Sequence, residues 1–310
     1  MKAICLNARG GAEQLVYQDV AEPAPQEGEV LIRVHAAGVI RTELSWGPTF
    51  TTASGEPRTF PVIPGHEFSG EIAALGLGVM DAKVGDQVYG LNDWYQNGAS
   101  AEFCTARLAD ISQKPSSVDH VHAAATPISA LTAWQGLIER GGLAAGQRVL
   151  IHGAAGGVGT FAVQLARWSG AQVIATSSAA NFDLVRSLGA DQVIDYRAER
   201  FEDKAKDVDV VFDTVGGETL DRSWSVLKSG GKLITIAASE EQTTDERVRA
   251  AFFIVEASKP QLDEITRLID RNALRPIVGE VFPLIDGRQA YQHKQDRGKV
   301  VLSVIGEIGN

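Results

Sequence analysis

Short apolar runs, broken every few residues by Gly, Pro and Glu, fill the first hundred positions. Ala3-Ile4-Cys5-Leu6, Leu15-Val16-Tyr17 and the run from Glu29 to Val39 have the length and flanks of β-strands, with Pro23-Ala24-Pro25-Gln26-Glu27-Gly28 as a break between them. Residues 42–60 are rich in Thr, Ser, Gly and Pro yet hold Trp46 and Phe50, which predicts a long loop with a functional use. Pro61 to Ile72, Lys83 to Gly90 and Gly98 to Cys104 add further strands with glycine at their turns. Together they predict a small, strongly bent, barrel-like sheet.

Near Val118 the period changes. Residues 122–126 and 130–140 carry Ala, Leu and Trp at helical spacing, and beyond them apolar runs at 171–176, 192–195, 208–213 and 231–237 alternate with helical patterns at 161–169, 181–188 and 218–227. Such alternation predicts a parallel sheet covered on both faces. Residues 250–257 read as one more strand and 261–271 as a helix. The tail from Arg275 returns to β character, ends in Lys299-Val300-Val301-Leu302-Ser303-Val304, and is expected to rejoin the first sheet.

Between the two patterns lies Arg148-Val149-Leu150-Ile151-His152-Gly153-Ala154-Ala155-Gly156-Gly157-Val158-Gly159-Thr160. An apolar strand runs into a glycine cluster and then into a helix, the local order of a nucleotide cradle. Glycines let the chain turn sharply and let backbone amides approach a pyrophosphate without an intervening Cβ. The helix that follows turns its free N–H groups and positive dipole end toward the phosphates. The first glycine of the usual fingerprint is Ala154 here.

At 310 residues, with 44% hydrophobic and 22% charged positions, the chain reads as two globular domains. Its net charge of −10 opposes nucleic acid and anionic membrane surfaces, so a small-molecule partner is expected. The first residues lack the pattern of a signal sequence, which makes the cytoplasm the expected location. Cys5 and Cys104 each sit in a strand-like run and are expected to be buried packing residues.

The order of Pro64-Gly65-His66-Glu67-Phe68-Ser69-Gly70, Val84-Gly85-Asp86-Gln87-Val88, the glycine loop and Gly298-Lys299-Val300-Val301-Leu302 resembles the medium-chain dehydrogenase/reductase superfamily along nearly the whole chain. Among its branches the sequence is most similar to the zinc-free quinone oxidoreductases and enoyl reductases related to zeta-crystallin. The resemblance implies an α/β protein: a GroES-like bent β-barrel domain (1–120 and 275–310) and a Rossmann domain with a doubly wound parallel sheet (121–274), the cofactor lying between them. It also implies a homodimer made by pairing the sheet edges near residues 230–236 and 252–255.

In the zinc-dependent branch a Cys, the His of the Gly-His-Glu segment and a second Cys hold catalytic zinc. This chain has Ile40 at the first position and Thr126-Pro127-Ile128-Ser129 near the second, and two cysteines cannot build a four-Cys structural site. No metal is expected. An NAD-preferring site places an acid about 20 residues past the loop, where this chain reads Thr176-Ser177-Ser178-Ala179-Ala180-Asn181. NADPH is therefore the expected cofactor.

The cofactor residues are expected to be Ala155, Gly156, Gly157 and Val158 of the loop with Ser177 and Ser178. By the resemblance Thr132, Tyr196, Val215, Ala237, Phe253 and Lys299 join them, with Arg197 or Arg200 adding charge. Trp46, Phe50 and Trp94 are candidates for an apolar acceptor pocket, because flat substrates stack on such rings. Thr42 falls where the zinc-dependent relatives carry a relay hydroxyl and is the candidate catalytic residue. Without a metal to polarise oxygen, hydride delivery to a quinone or an α,β-unsaturated carbonyl is the expected reaction. A zinc-dependent alcohol dehydrogenase and a non-catalytic NADPH-binding protein are the alternatives.

Overall fold

In the computed structural model of the chain, residues 1–237, 243–294 and 296–305 are described. Strands β1 (Lys2–Leu6) and β2 (Leu15–Asp19) form an antiparallel pair beside a larger sheet. That larger sheet takes β3 (Glu29–Val39), β4 (Glu67–Leu75), β5 (Gln87–Leu91), β6 (Phe103–Arg107) and β7 (Ile111–Gln113) from the first part of the chain. Next in sequence, β8 (Arg148–Ile151), β9 (Gln172–Ser177), β10 (Gln192–Asp195), β11 (Val208–Asp213) and β12 (Leu227–Thr235) make a wholly parallel sheet in the order β10-β9-β8-β11-β12. Finally β13 (Val278–Pro283) and β14 (Lys299–Ser303) return to the first sheet, whose order is β13-β14-β3-β4-β5-β7 with β6 also on β3.

Strand β3 explains the curvature. Its first half pairs with β6 and its last half with β14, while its pairing with β4 slips in register between Leu31 and Ile32 and again between Val34 and Ala36. Irregularities of this kind bend a strand and increase its twist. Gly70 sits opposite the second slip, where a Cβ would lie 2.2 Å from the Arg33 carbonyl oxygen. The bent sheet with glycine at its corners is thus the one expected from the sequence, and the tail does rejoin it. Cys5 and Cys104 are both buried within its packing.

The parallel sheet is as anticipated except at its end. Residues 250–257 are not a strand: Asp245 accepts a hydrogen bond from the Arg247 amide and caps the helix Glu246–Ala251, after which only Phe252 bridges to Thr235. The apolar run Ala250-Ala251-Phe252-Phe253 straddles a helix end, where Val248 and Ala251 bury one helical face and Phe253 buries itself separately. Residues 42–60 likewise contain a 3-10 turn (Arg41–Ser45) and a short helix (Gly47–Phe50) where an irregular loop is expected.

The two sheets are tied by the helix Lys259–Asp270. The Tyr89 hydroxyl on β5 donates to the Leu262 carbonyl at 2.9 Å, and the Ser112 hydroxyl on β7 donates to Asp263 at 2.5 Å. Beneath the glycine loop, His152 is fully buried, its ring nitrogens 3.0 Å from the hydroxyls of Thr176 and Ser223 and its ring edge-on to Phe201.

Burial, with Arg222 adding to it, pushes His152 down to about 3. In the unfolded chain an imidazole binds its proton near pH ~6.5. The unfolded state therefore takes up the proton first, and stability present above that range is lost as pH falls. Urea titrations at about pH 7.5 and about pH 5.5 should show roughly 1.4 kcal/mol of destabilisation from this residue. His152→Gln should remove that part of the difference. An unchanged pH dependence in the variant contradicts the assignment.

Candidate cofactor and substrate site

The glycine loop is tight where the sequence demands it. Gly153 has φ +71°, and a Cβ there would lie 2.3 Å from the Thr214 hydroxyl. At Gly159 a Cβ would lie 2.1 Å from the Gly153 carbonyl oxygen, so the helix Gly157–Trp168 starts hard against the turn. Ala154 is buried with its amide bonded to the Thr176 carbonyl, which accounts for a side chain being tolerated there. Ala155 is buried, while Gly156, Gly157 and Val158 are half-buried along the loop.

The returning tail closes on this loop. The Gly298 amide donates to the Ala155 carbonyl at 2.8 Å, and Gly156 and Gly298 form a parallel bridge. Lys299 follows, buried, with its ammonium paired to the fully buried Glu67 carboxylate at the start of β4. The other Glu67 oxygen accepts from the Ile128 amide at 2.9 Å, in the first turn of the helix Pro127–Trp134. An acid at that end complements the helix dipole. Gly38 on β3 makes room, since a Cβ there would lie 2.4 Å from a Glu67 oxygen. Burial pushes the Glu67 carboxyl up and the adjacent Lys299 opposes it.

Several expected cofactor residues gather at the strand ends. Ser177 ends β9, and the Tyr196 amide just past β10 is 3.4 Å from its carbonyl. Tyr196 is 56% exposed, with Arg197 stacked over its ring and donating to its hydroxyl at 3.2 Å. Ser178 accepts from Asn181, which also holds the Asp296 carbonyl. Past β11, the buried Asp213 carboxylate accepts from the amides of Val215 and Gly216 and from the Thr235 hydroxyl. That clamp presents Val215 and Ala237 as exposed positions on neighbouring turns. Arg200 pairs with Glu202 instead of joining Tyr196.

Three further expected residues make contacts within the protein. The Thr132 hydroxyl donates to the Ile128 carbonyl at 2.6 Å within its own helix. Phe253 is buried under Arg140, beyond the end of β12. Phe50 packs against Phe60 and under Arg9.

Trp46 and Trp94 do meet, ring centroids 5.6 Å apart and edge to face, and Trp94 lies over His66 at 5.2 Å. Under them is a pair the sequence reading missed. His66 Nδ1 is hydrogen-bonded to a Glu43 carboxyl oxygen at 2.6 Å, the Gly65 amide donates to the same oxygen at 2.7 Å, and both side chains are buried. Thr42, one residue earlier, is exposed. The second Glu43 oxygen and the carbonyl oxygen of the buried Asn92 side chain have no hydrogen-bond partner among the described residues. Nothing in the spacing Arg41-Thr42-Glu43 marks Glu43 as a buried acid; only the fold brings it under His66.

These carboxylates already have partners. Glu43 is directed at His66 Nδ1 and Gly65, and Glu67 at Lys299 and Ile128. Among the described residues no group of three or more His, Cys, Asp or Glu converges to hold an ion. A dinucleotide fits better. The loop offers glycine-lined space, and beside Gly157 the buried Ser129 hydroxyl has no partner among the described residues.

Residues 26–167 match the family described as Alcohol dehydrogenase GroES-like domain, and residues 188–302 the family described as Zinc-binding dehydrogenase. Over 326 aligned residues the chain is 35% identical to the mitochondrial NAD(P)H oxidoreductase RTN4IP1 of Danio rerio, covering 89% of this chain and 84% of that protein. The chain is an oxidoreductase of the medium-chain dehydrogenase/reductase superfamily. Other superfamily relatives include the chloroplastic NADPH-dependent alkenal/one oxidoreductase of Arabidopsis thaliana, 32% identical over 97% of this chain and 79% of that protein. Among solved structures, the quinone oxidoreductase from Coxiella burnetii superposes with a TM-score of 0.89 at 30% identity, covering 98% of this chain and 99% of that one. The zinc in one family's description has no thiolate counterpart in residues 188–302, where this superfamily member has no cysteine.

The Glu67–Lys299 pair gives a stability test. Glu67→Ala leaves a buried, unpaired cation and should cost about 3–5 kcal/mol in chemical denaturation. Glu67→Met combined with Lys299→Met should recover most of that. A single-variant loss below about 1 kcal/mol, the range of exposed pairs, contradicts the buried pairing.

Proposed function

We propose that the protein is an NADPH-dependent reductase of quinones or α,β-unsaturated carbonyls that works by hydride transfer without a metal. The observation that carries this reading is one junction: Lys299, which follows the Gly298 that closes the glycine loop, pairs with Glu67, the neighbour in sequence of a His66 that lies against Trp94, which in turn meets Trp46. Consecutive residues His66 and Glu67 thus separate an aromatic acceptor surface from the dinucleotide cradle. The division into 1–120 with 275–310 and 121–274 belongs to this reading, and the strand membership of the two sheets supports it.

The reduced nicotinamide supplies the hydride. The protein's own part is to align donor and acceptor carbons and to exclude water, which accounts for much of the barrier lowering in such transfers. A quinone or enone absorbs the incoming charge in its own conjugation, so no Lewis acid is required. Ser177, Ser178, Tyr196 and Arg197 form the 2′-phosphate end, where hydroxyls and one guanidinium suit an added phosphate and no carboxylate projects from the end of β9 to repel it. A homodimer through the β12 edge is part of the same reading. That edge is the outermost strand of its sheet and borders a groove lined by Arg140, Trp224, Lys232 and Arg247.

Loss of reduced-nicotinamide absorbance, followed with NADPH and NADH against a naphthoquinone and a simple enone, tests the reading. NADPH should be consumed in preference to NADH, at a rate a chelator leaves unchanged. Abolition by chelator contradicts the metal-free mechanism, and no turnover with any acceptor contradicts the enzymatic reading. Arg197→Ala should weaken NADPH binding about tenfold, as for one charge-assisted bond, with little change for NADH. An equal loss for both cofactors contradicts the 2′-phosphate assignment.

A further inference from the structure

Ser129 is the third residue of the helix Pro127–Trp134, 1% exposed, and its hydroxyl has no hydrogen-bond partner among the described residues. A buried hydroxyl left unpaired is costly, and native structures rarely keep one without a use. The surroundings say what the use is. A Cβ placed on Gly157 would lie 3.2 Å from the Ser129 oxygen and 3.3 Å from Lys299 Cδ, so the glycine leaves a slot between the serine and the lysine stem. Gly157 is the first residue of the loop's helix and Ser129 lies in the first turn of its own, so two positive helix ends and one ammonium meet there. Glu67 is the carboxylate among them, and its oxygens face Lys299 and the Ile128 amide. The remaining positive potential favours an anion or an electron-rich oxygen in the slot.

We propose that Ser129 is a cofactor-binding residue, donating its hydroxyl proton to an oxygen of the dinucleotide's pyrophosphate and nicotinamide-ribose stretch, alongside Lys299. The inference rests on the dinucleotide reading above and adds a contact from the helix Pro127–Trp134. It explains why a hydroxyl, and not a further alanine, stands in an otherwise apolar run, Ile128-Ser129-Ala130-Leu131. It also explains why Gly157 carries no side chain although its φ is not in the left-handed region: a methyl group there would fill the slot.

The test sets binding against stability. Ser129→Ala removes an unpaired polar group and a contact to cofactor at once, so the two readouts should move in opposite directions. With the full-length protein and no added ligand, the thermal midpoint of the variant should equal or exceed that of the parent. The dissociation constant for NADPH, read from reduced-nicotinamide fluorescence, should rise about tenfold, the scale of one hydrogen bond to a charged oxygen. Ser129→Cys keeps the volume but donates weakly and should show the same weakening. Adenosine 2′,5′-bisphosphate, which lacks the pyrophosphate and nicotinamide ribose, should bind parent and variants alike. Unchanged NADPH affinity in both variants overturns the assignment, as does equal weakening toward adenosine 2′,5′-bisphosphate. A parent protein that binds neither ligand overturns the dinucleotide reading, whereas normal parent binding with unaffected variants overturns the Ser129 assignment alone.

Discussion

A carboxylate and an ammonium sealed from water at one junction hold the site together. Glu67 comes from the second long strand of the bent sheet and Lys299 from the strand that ends the chain's return, and both are buried where the glycine loop begins its helix. Removing charges from water is expensive, so such a pair persists only where its geometry is fixed by other bonds. Here they are: Ile128 donates to Glu67, Gly298 donates to Ala155, and Gly38 clears the space that the carboxylate occupies. The junction therefore sets the distance between the two sheets and the position of the loop relative to the aromatic surface.

The reactivity proposed for the site follows from what this junction leaves available. The carboxylates nearest His66 are already engaged, one with the imidazole itself and one with a lysine, so these polar groups organise the loops. The two indoles beside them meet edge to face and form an apolar, aromatic wall, suited to an acceptor that carries its own electron sink. Chemistry of this kind asks the protein for alignment, and a rigid junction between the two sheets supplies it.

Much of this was legible in the chain. Short apolar runs broken by Gly, Pro and Glu, then alternation of apolar runs with helical patterns, marked the bent sheet and the parallel sheet, because each reports a segment that must be buried. The glycine loop was legible because its spacing answers to backbone geometry alone. Residues 250–257 misled because an apolar run spanning a helix end looks like a buried strand until the cap at Asp245 is weighed. An aromatic in a loop carries no sign of which side it faces, and the neighbours of Phe50, Phe60 and Arg9, come from other parts of the chain. Glu43 and Ser129 were silent for a different reason. Their roles depend on partners 23 residues or more away, His66 for one and Gly157 with Lys299 for the other, and no local pattern encodes such meetings.

Amide hydrogen exchange with and without saturating NADPH measures the central claim most directly. If the dinucleotide lies over the loop at this junction, exchange should slow together in residues 153–160 and in residues 298–299, two segments far apart in sequence but joined by the Gly298–Ala155 bond. Saturated binding with protection of neither segment, or of one without the other, would contradict the account.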